Sequence, residues 1–429
     1  MSDSQAAAPD PGAQSRELAP ARCGSCDLLQ AEPRLLGGDR AHCVRCGEML
    51  QRGRPQSLDR TLALTLSAAI LLGVANLLPF LSFEFQGRSS SNFILSGVFQ
   101  LWRTGFGVVA AVVFFTTVVA PLVYLGGMLY VLVPLWRGRR PPALGPIFRW
   151  LIELRPWAML EVYLLGVCVA VVKLGQLATI VPDPALFAFV ALIVIWAAAA
   201  ASLDPRMVWN ALPARSRPSG ASLRGPELAN SLRCHSCALL VQDTSPAAPA
   251  GLGCPRCGAR LERRKPGSLS RTWALLIAAA ILYLPANLYP VLDVQILGQS
   301  EADTIYSGVV SLVGAGMWEI GALVFFASIV VPLAKLLGLG FLLASVQLRS
   351  SWNPRARTRF YRVIASVGRW SFIDTFMISI LVALVQLGSL ATIDAGFGAT
   401  CFAAVIVLTM FAAGSFDPRL VWDAREGEA

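Results

Sequence analysis

Long apolar stretches alternate with short polar and basic ones along almost the whole chain. A run of about 20 apolar residues suffices to cross a bilayer as a helix. The pattern predicts helices over roughly 61–82, 106–135, 157–180 and 184–201, then over roughly 272–292, 318–345, 371–393 and 396–414. The last two helices of each set are joined by a short turn. These turns are VPDP at 181–184 and DAGFG at 394–398, where Pro and Gly supply the turn chemistry. The expected fold class is an α-helical integral membrane protein.

The second set of four helices repeats the first. Cys23, Cys26, Cys43 and Cys46 recur as Cys234, Cys237, Cys254 and Cys257, a constant offset of 211 (234 minus 23). The same offset carries Asn76 to Asn287, Pro79 to Pro290 and Pro121 to Pro332. Later the offset becomes 213: KLGQLATI at 173–180 matches QLGSLATI at 386–393, and LDPRMVW at 203–209 matches FDPRLVW at 416–422. A match of this length marks an internal duplication. The expected organisation is a disordered tail (1–21), a ribbon (22–52), a transmembrane half (57–205), a linker (206–232), a second ribbon (233–263), a second half (268–418) and a C-terminal tail (419–429). Four helices per half give both halves the same topology, as in parallel repeats related by an axis along the membrane normal.

Composition agrees with the pattern. Hydrophobic residues make up 55% of the 429 positions and charged residues 14%, against roughly 25% charged in soluble domains. The net charge of +10 does not point to nucleic acid. Its basic clusters, such as RGRR at 137–140 and RARTR at 355–359, flank the apolar runs. Lys and Arg gather in cytoplasmic loops, so both ribbons and both termini are expected in the cytoplasm. The opening residues are polar, with no apolar core of a signal peptide.

Each ribbon reads Cys-x2-Cys, sixteen residues, Cys-x2-Cys. Four thiolates from two tight turns suit a tetrahedral zinc ion, and a closed set of four ligands implies a structural ion rather than a catalytic one. Two zinc ions are therefore expected. The same donors also suit a single iron, and spacing alone does not separate the metals. A thioredoxin-like pair would need a βαβ context that is absent, and disulfides are disfavoured in a reducing compartment. His42 and His235 occupy different places in their ribbons and read as bystanders; Cys168 and Cys401 read as packing.

Ionisable groups within spans are candidate functional sites. They are Glu161, Lys173, Lys335 and Asp374. Glu161 and Asp374 are equivalent by the offset of 213, each four residues after a Trp, and are placed near the cytoplasmic ends of their helices, where they also suit an interfacial pairing with loop arginines. Lys335 falls in mid-helix where the first half has Tyr124. Insertion scales put the cost of such a Lys at about 2.5–3.5 kcal/mol. Asp374 is its expected partner, with Ser328, Ser371 and Thr375 completing a polar network. Asn76 and Asn287 read as helix caps or bridges. Pro121 and Pro332 predict a bend or a π-type adjustment.

The paired ribbons, ANLLP and ANLYP, RPWAMLEVYLLG and GRWSFIDTFMIS, LGQLATI and LGSLATI, and the two DPR-x-VW ends together resemble the paraquat-inducible protein A family. The resemblance covers Cys23 to Trp422. It implies an inner-membrane protein of Gram-negative bacteria that moves phospholipid between that membrane and an MCE-domain tunnel protein crossing the periplasm. It further implies that the network around Lys335 and Asp374 carries protons. The chain has no Walker A motif, so neither ATP hydrolysis nor any enzymatic role is expected. Two other readings stay open: a membrane redox or metal stress sensor using the ribbons, and a scaffold that only anchors the tunnel.

Overall fold

The computed structural model describes residues 19–32, 38–53, 57–85, 88–174, 179–212, 226–242, 253–296, 299–384 and 391–426. They form two compact units, Met1–Pro55 with Asp204–Arg263, and Gln56–Leu203 with Arg264–Ala429.

The small unit holds both ribbons. Strand Ala19–Arg22 pairs antiparallel with Leu29–Glu32, and Arg40–His42 pairs with Met49–Arg52. In the second ribbon Ser231–Arg233 pairs with Leu240–Gln242, and Gly253 bridges Arg260. The first ribbon thus begins at Ala19 rather than at 22, because its opening residues complete a hairpin; residues 1–18 of the expected tail lie outside the described residues. The expected linker contains helices at Pro205–Asn210 and Pro226–Ala229, and 213–225 lie outside the description. Arg22 of the first ribbon donates to the carbonyl of Ala229, at the end of the helix that leads into the second ribbon, at 2.6 Å.

The large unit runs through α1 (Ser57–Leu77), β1 (Leu81–Phe85), β2 (Arg88–Asn92), α2 (Ile94–Arg103), α3 (Gly107–Phe114), α4 (Ala120–Trp136), α5 (Leu144–Leu154), α6 (Leu160–Leu174), β3 (Thr179–Pro182) and α7 (Pro184–Ser202). The order then recurs as α8 (Ser268–Leu288), β4 (Leu292–Ile296), β5 (Gln299–Asp303), α9 (Ile305–Gly314), α10 (Trp318–Phe325), α11 (Val331–Gln347), α12 (Pro354–Val367), α13 (Ile373–Leu384), β6 (Ala391–Ala395) and α14 (Phe397–Ser415). A last helix spans Leu420–Glu426. Among the described residues, eight helical stretches are long and apolar enough to cross a membrane.

Two expected helices are shifted. The third crossing stretch is Leu144–Val172 and the seventh Pro354–Leu384, so each starts well before the expected 157 and 371. The arginines there do not prevent helix. In α5, Leu144, Phe148 and Leu151 repeat at helical spacing and are buried. In α12, the Arg357 guanidinium is buried by donating to Ser345 Oγ and to the Ser350 and Val421 carbonyls. Both stretches break into a 3₁₀ turn, Arg155–Trp157 and Gly368–Phe372. At the far end α6 stops at Leu174 and α13 at Leu384, short of the expected 180 and 393. The β-branched residues of the ATI segments form strands instead. β3 and β6 pair antiparallel with β1 and β4, giving three-stranded sheets ordered β2-β1-β3 and β5-β4-β6.

The prolines act where the sequence placed them. A π-helical turn at Phe115–Val119 joins α3 to α4, and one at Phe326–Val330 joins α10 to α11. Pro121 and Pro332 follow directly. Proline lacks the N–H that an α-helix would use, and the wider turn accommodates the loss. Pro79 and Pro290 lie just past the ends of α1 and α8. Asn76 and Asn287 donate to the Leu72 and Tyr283 carbonyls at 2.8 Å, bonds within their own helices.

α13 is the central helix. Its described residues are buried apart from a half-buried Ala383, and it packs against α2, α3 and α6 of the first half and against α14 of its own. Close approach depends on two glycines. A Cβ on Gly97 would collide with the Ser379 backbone, and one on Gly166 would lie 2.9 Å from Phe376 Cβ. The Tyr163 and Phe376 rings meet beside them with centroids 5.5 Å apart.

Candidate functional site

Both cysteine quartets come together. In each, the four Sγ atoms lie within 4.8 Å of one another. The nearest pairs, Cys23–Cys46, Cys26–Cys43, Cys234–Cys257 and Cys237–Cys254, are each 3.5 Å apart. A tetrahedral zinc site with Zn–S bonds near 2.3 Å needs sulfur separations of about 3.8 Å. All ten cysteines are free rather than disulfide-bonded. Four clustered, largely buried thiols cannot all ionise without a cation, so the donor set fits a metal. Neither histidine enters a quartet. The residue after each second cysteine has positive φ: Asp27 (60°), Gly47 (70°), Ala238 (56°) and Gly258 (71°). That backbone lets the N–H of each of these residues reach the carbonyl of the first cysteine in its pair, at 2.8–3.1 Å.

The two ribbons differ in one group beside the thiols. The Glu48 carboxylate lies 3.0 Å from Cys23 Sγ and accepts the Ser25 N–H at 2.9 Å. Its counterpart in the second ribbon is Ala259.

Within the large unit, Lys335 is 2% exposed in α11. Among the described residues its hydrogen-bond partner is Thr409 rather than the expected Asp374: Nζ donates to Thr409 Oγ1 on α14 at 2.7 Å. Thr409 in turn donates to the Ile406 carbonyl at 3.0 Å, which leaves its lone pairs for the ammonium. Gly368 sits beside Nζ at the 3₁₀ turn. Asp374 is 3% exposed, and Ser328, Ser371 and Thr375 are also buried. Ser328 Oγ donates to the Val324 carbonyl within the π turn. The Ser371 and Thr375 hydroxyls have no hydrogen-bond partner among the described residues. Asp374 does not open its crossing stretch, which starts at Pro354 rather than at the expected 371. It lines a cavity of about 40 Å³ with Val324, Met377, Asp303 and Thr304, room for a water molecule.

The duplication isolates what is special here. At the offset of 213, Thr409 corresponds to Trp196, and at 211 Lys335 corresponds to Tyr124. Tyr124 and Trp196 are themselves in contact, with ring centroids 4.9 Å apart. One half joins the helices with an aromatic pair, the other with an ammonium–hydroxyl pair. Ser371 and Thr375 correspond to Ala158 and Val162. Glu161, the counterpart of Asp374, is exposed. Lys173 falls at the end of α6, and its side chain lies outside the described residues. The buried polar cluster therefore belongs to the second half. Sequence reasoning missed Thr409; the paired exchange against Tyr124 and Trp196 was the available signal.

These features define a membrane-spanning protein with a repeated helical body and two four-cysteine clusters that could each hold a metal ion. The chain belongs to the Paraquat-inducible protein A family, whose profile matches it twice, over residues 58–213 and 269–426. Among its curated relatives, Lipophilic envelope-spanning tunnel protein A of Escherichia coli (strain K12) is 32% identical over 406 residues, covering 94% of this chain and 91% of the relative. Intermembrane transport protein PqiA of the same strain is 32% identical, covering 94% and 95%. A Probable intermembrane transport protein of Haemophilus influenzae is 28% identical over 414 residues, covering 95% and 96%. No solved structure matches the chain.

Proposed function

We propose that this chain is the inner-membrane subunit of a lipid transport system that passes phospholipid between that membrane and an MCE-domain tunnel protein. The observation that carries the reading is near full-length similarity to proteins named for intermembrane transport and for an envelope-spanning tunnel. Eight apolar crossing stretches support a multi-pass subunit. The basic clusters beside them support cytoplasmic termini and ribbons, and the repeated element order supports two parallel repeats. Each quartet holds one structural zinc ion, which fixes the ribbon fold. The ribbons brace each other on the cytoplasmic side.

In this reading the second half supplies the working parts. Lys335, held by Thr409, and Asp374, beside Ser328, Ser371 and Thr375, form a network that takes up and releases protons as the helices move. A Lys inside a span costs about 2.5–3.5 kcal/mol on insertion scales, and an ionisable residue there marks a functional site by default, so Lys335 serves activity rather than packing.

The test is the lipid load of the tunnel partner, isolated from cells with and without this chain and measured by mass spectrometry. The partner carries phospholipid when the chain is present, and much less when it is absent or is Lys335→Met. An equal load in all three contradicts the transport role. If loading survives Lys335→Met but fails without the chain, the chain is a scaffold.

A further inference from the structure

A groove of about 780 Å³ lies between α11 and α12, open on one side. Its size falls within the roughly 300–1,000 Å³ of small-molecule sites. Leu337, Phe341, Trp352, Phe360 and Val363 line it and are exposed. The Phe341 ring meets Trp352 and Phe360 edge-on, which fixes the wall. An apolar wall alone would be ordinary for a helix facing lipid. This one is concave and carries a guanidinium at its rim.

Two arginines line the groove, and they are not equivalent. Arg357 is buried and occupied by Ser345, Ser350 and Val421. Arg359 is exposed, with no hydrogen bond or ion pair among the described residues. α12 carries four arginines and no acidic residue, and the connection at 348–353 has none either. Arg359 is therefore the arginine of this wall whose charge stays open to the groove among the described residues. The first half does not reproduce it. Arg359 corresponds there to Pro146, and Tyr130, the counterpart of Phe341, donates to the Pro142 carbonyl at 3.2 Å.

We propose that this groove binds an anionic glycerophospholipid, an acyl chain along the Leu337–Phe341–Phe360 wall and the phosphate on Arg359. Guanidinium groups recognise phosphate through paired N–H donors. With Arg359 open, a headgroup that brings no ammonium of its own leaves the phosphate to pair with this guanidinium. The inference deepens the transport reading, on which it rests, by naming a loading site and the lipid class it takes.

The test uses the full chain, with a benzophenone amino acid at Leu337 in the groove or at Leu333, an exposed position on the same helix that does not line it. Each is reconstituted in phosphatidylcholine vesicles containing radiolabelled phosphatidylglycerol and irradiated. Labelling at position 337 is expected to exceed that at 333 by about tenfold, the equivalent of one charge-assisted contact. Arg359→Glu and the groove-filling Ala334→Trp should both bring position 337 down to the level of 333. Equal labelling at 337 and 333, or a preference that survives Arg359→Glu, overturns the proposal. Lipid delivery by the unlabelled wild-type chain to its tunnel partner is measured separately. Its failure alongside selective labelling contradicts transport while supporting the groove.

Discussion

The bond between Lys335 and Thr409 yields a quantitative prediction. Thr409→Val keeps the side-chain shape and removes the hydroxyl that accepts from Nζ. Interhelical hydrogen bonds in membranes average about 0.6 kcal/mol. A charged donor roughly doubles that, so the pair should couple by about 1.2 kcal/mol. The measurement is a double-mutant cycle of wild type, Thr409→Val, Lys335→Met and the double variant, unfolded at equilibrium in mixed micelles. Thr409→Val should cost about 1.2 kcal/mol, close to an eightfold change in the unfolding constant. In the Lys335→Met background it should cost nearly nothing. Lys335→Met alone loses the same coupling, offset in part by the desolvation it removes, so its net cost should be smaller than that of Thr409→Val. A control cycle with Ser328→Ala should show no coupling, because Ser328 bonds within its own turn. Coupling below about 0.3 kcal/mol, under the usual error of additivity, would refute the pairing.

Three further outcomes are expected. Metal analysis of the purified chain should give two zinc ions, and Cys257→Ser should leave one bound. Glu48 adds negative charge beside Cys23 and shares the Ser25 N–H with its sulfur, so a chelator should strip the first ribbon before the second; Glu48→Gln should slow that loss by about tenfold, in the range of changes around metal ligands. The third concerns Asp417, which accepts the backbone N–H groups of Lys265 and Arg419 and the Arg419 guanidinium, tying the start of α8 to the end of α14. Burial alone would raise its carboxyl, but the Arg419 contacts and the backbone N–H groups outweigh burial and hold it below the usual 3.8. Its stabilisation is thus complete above pH 3.8 and lost as pH falls toward the lowered value; Asp417→Asn should cost about 3 kcal/mol at neutral pH and flatten that acid limb of a melting-temperature profile.

What the sequence revealed and what it hid follow from the range of the interactions. The quartets were legible because ligands at fixed spacing in tight turns are local. The π turns were legible through Pro121 and Pro332, which forbid a regular helix whatever surrounds them. The ends of α6 and α13 were not. ATI is apolar enough to continue a helix, and only pairing with β1 and β4, about a hundred residues away (179 minus 81, and 391 minus 292), makes it a strand. The start of α12 was hidden for a related reason. Arg357 looked like a loop residue because its acceptors, the Ser350 and Val421 carbonyls, are set by the fold. Lys335 stood out as a charge in an apolar run, whereas Thr409 did not, since a lone threonine in a span costs little. Its role emerges once the halves are superposed in sequence and the Tyr124–Trp196 contact is seen in its place.

In the proposed transport cycle the buried polar cluster of the second half drives lipid movement. The most direct measurement is delivery of labelled phospholipid from proteoliposomes containing this chain to its purified tunnel partner, with and without an imposed pH gradient. Wild type should deliver lipid faster with the gradient, and Lys335→Met and Asp374→Asn should remove that acceleration while remaining folded and bound to the partner. Delivery that ignores the gradient and is unchanged in both variants would contradict the account.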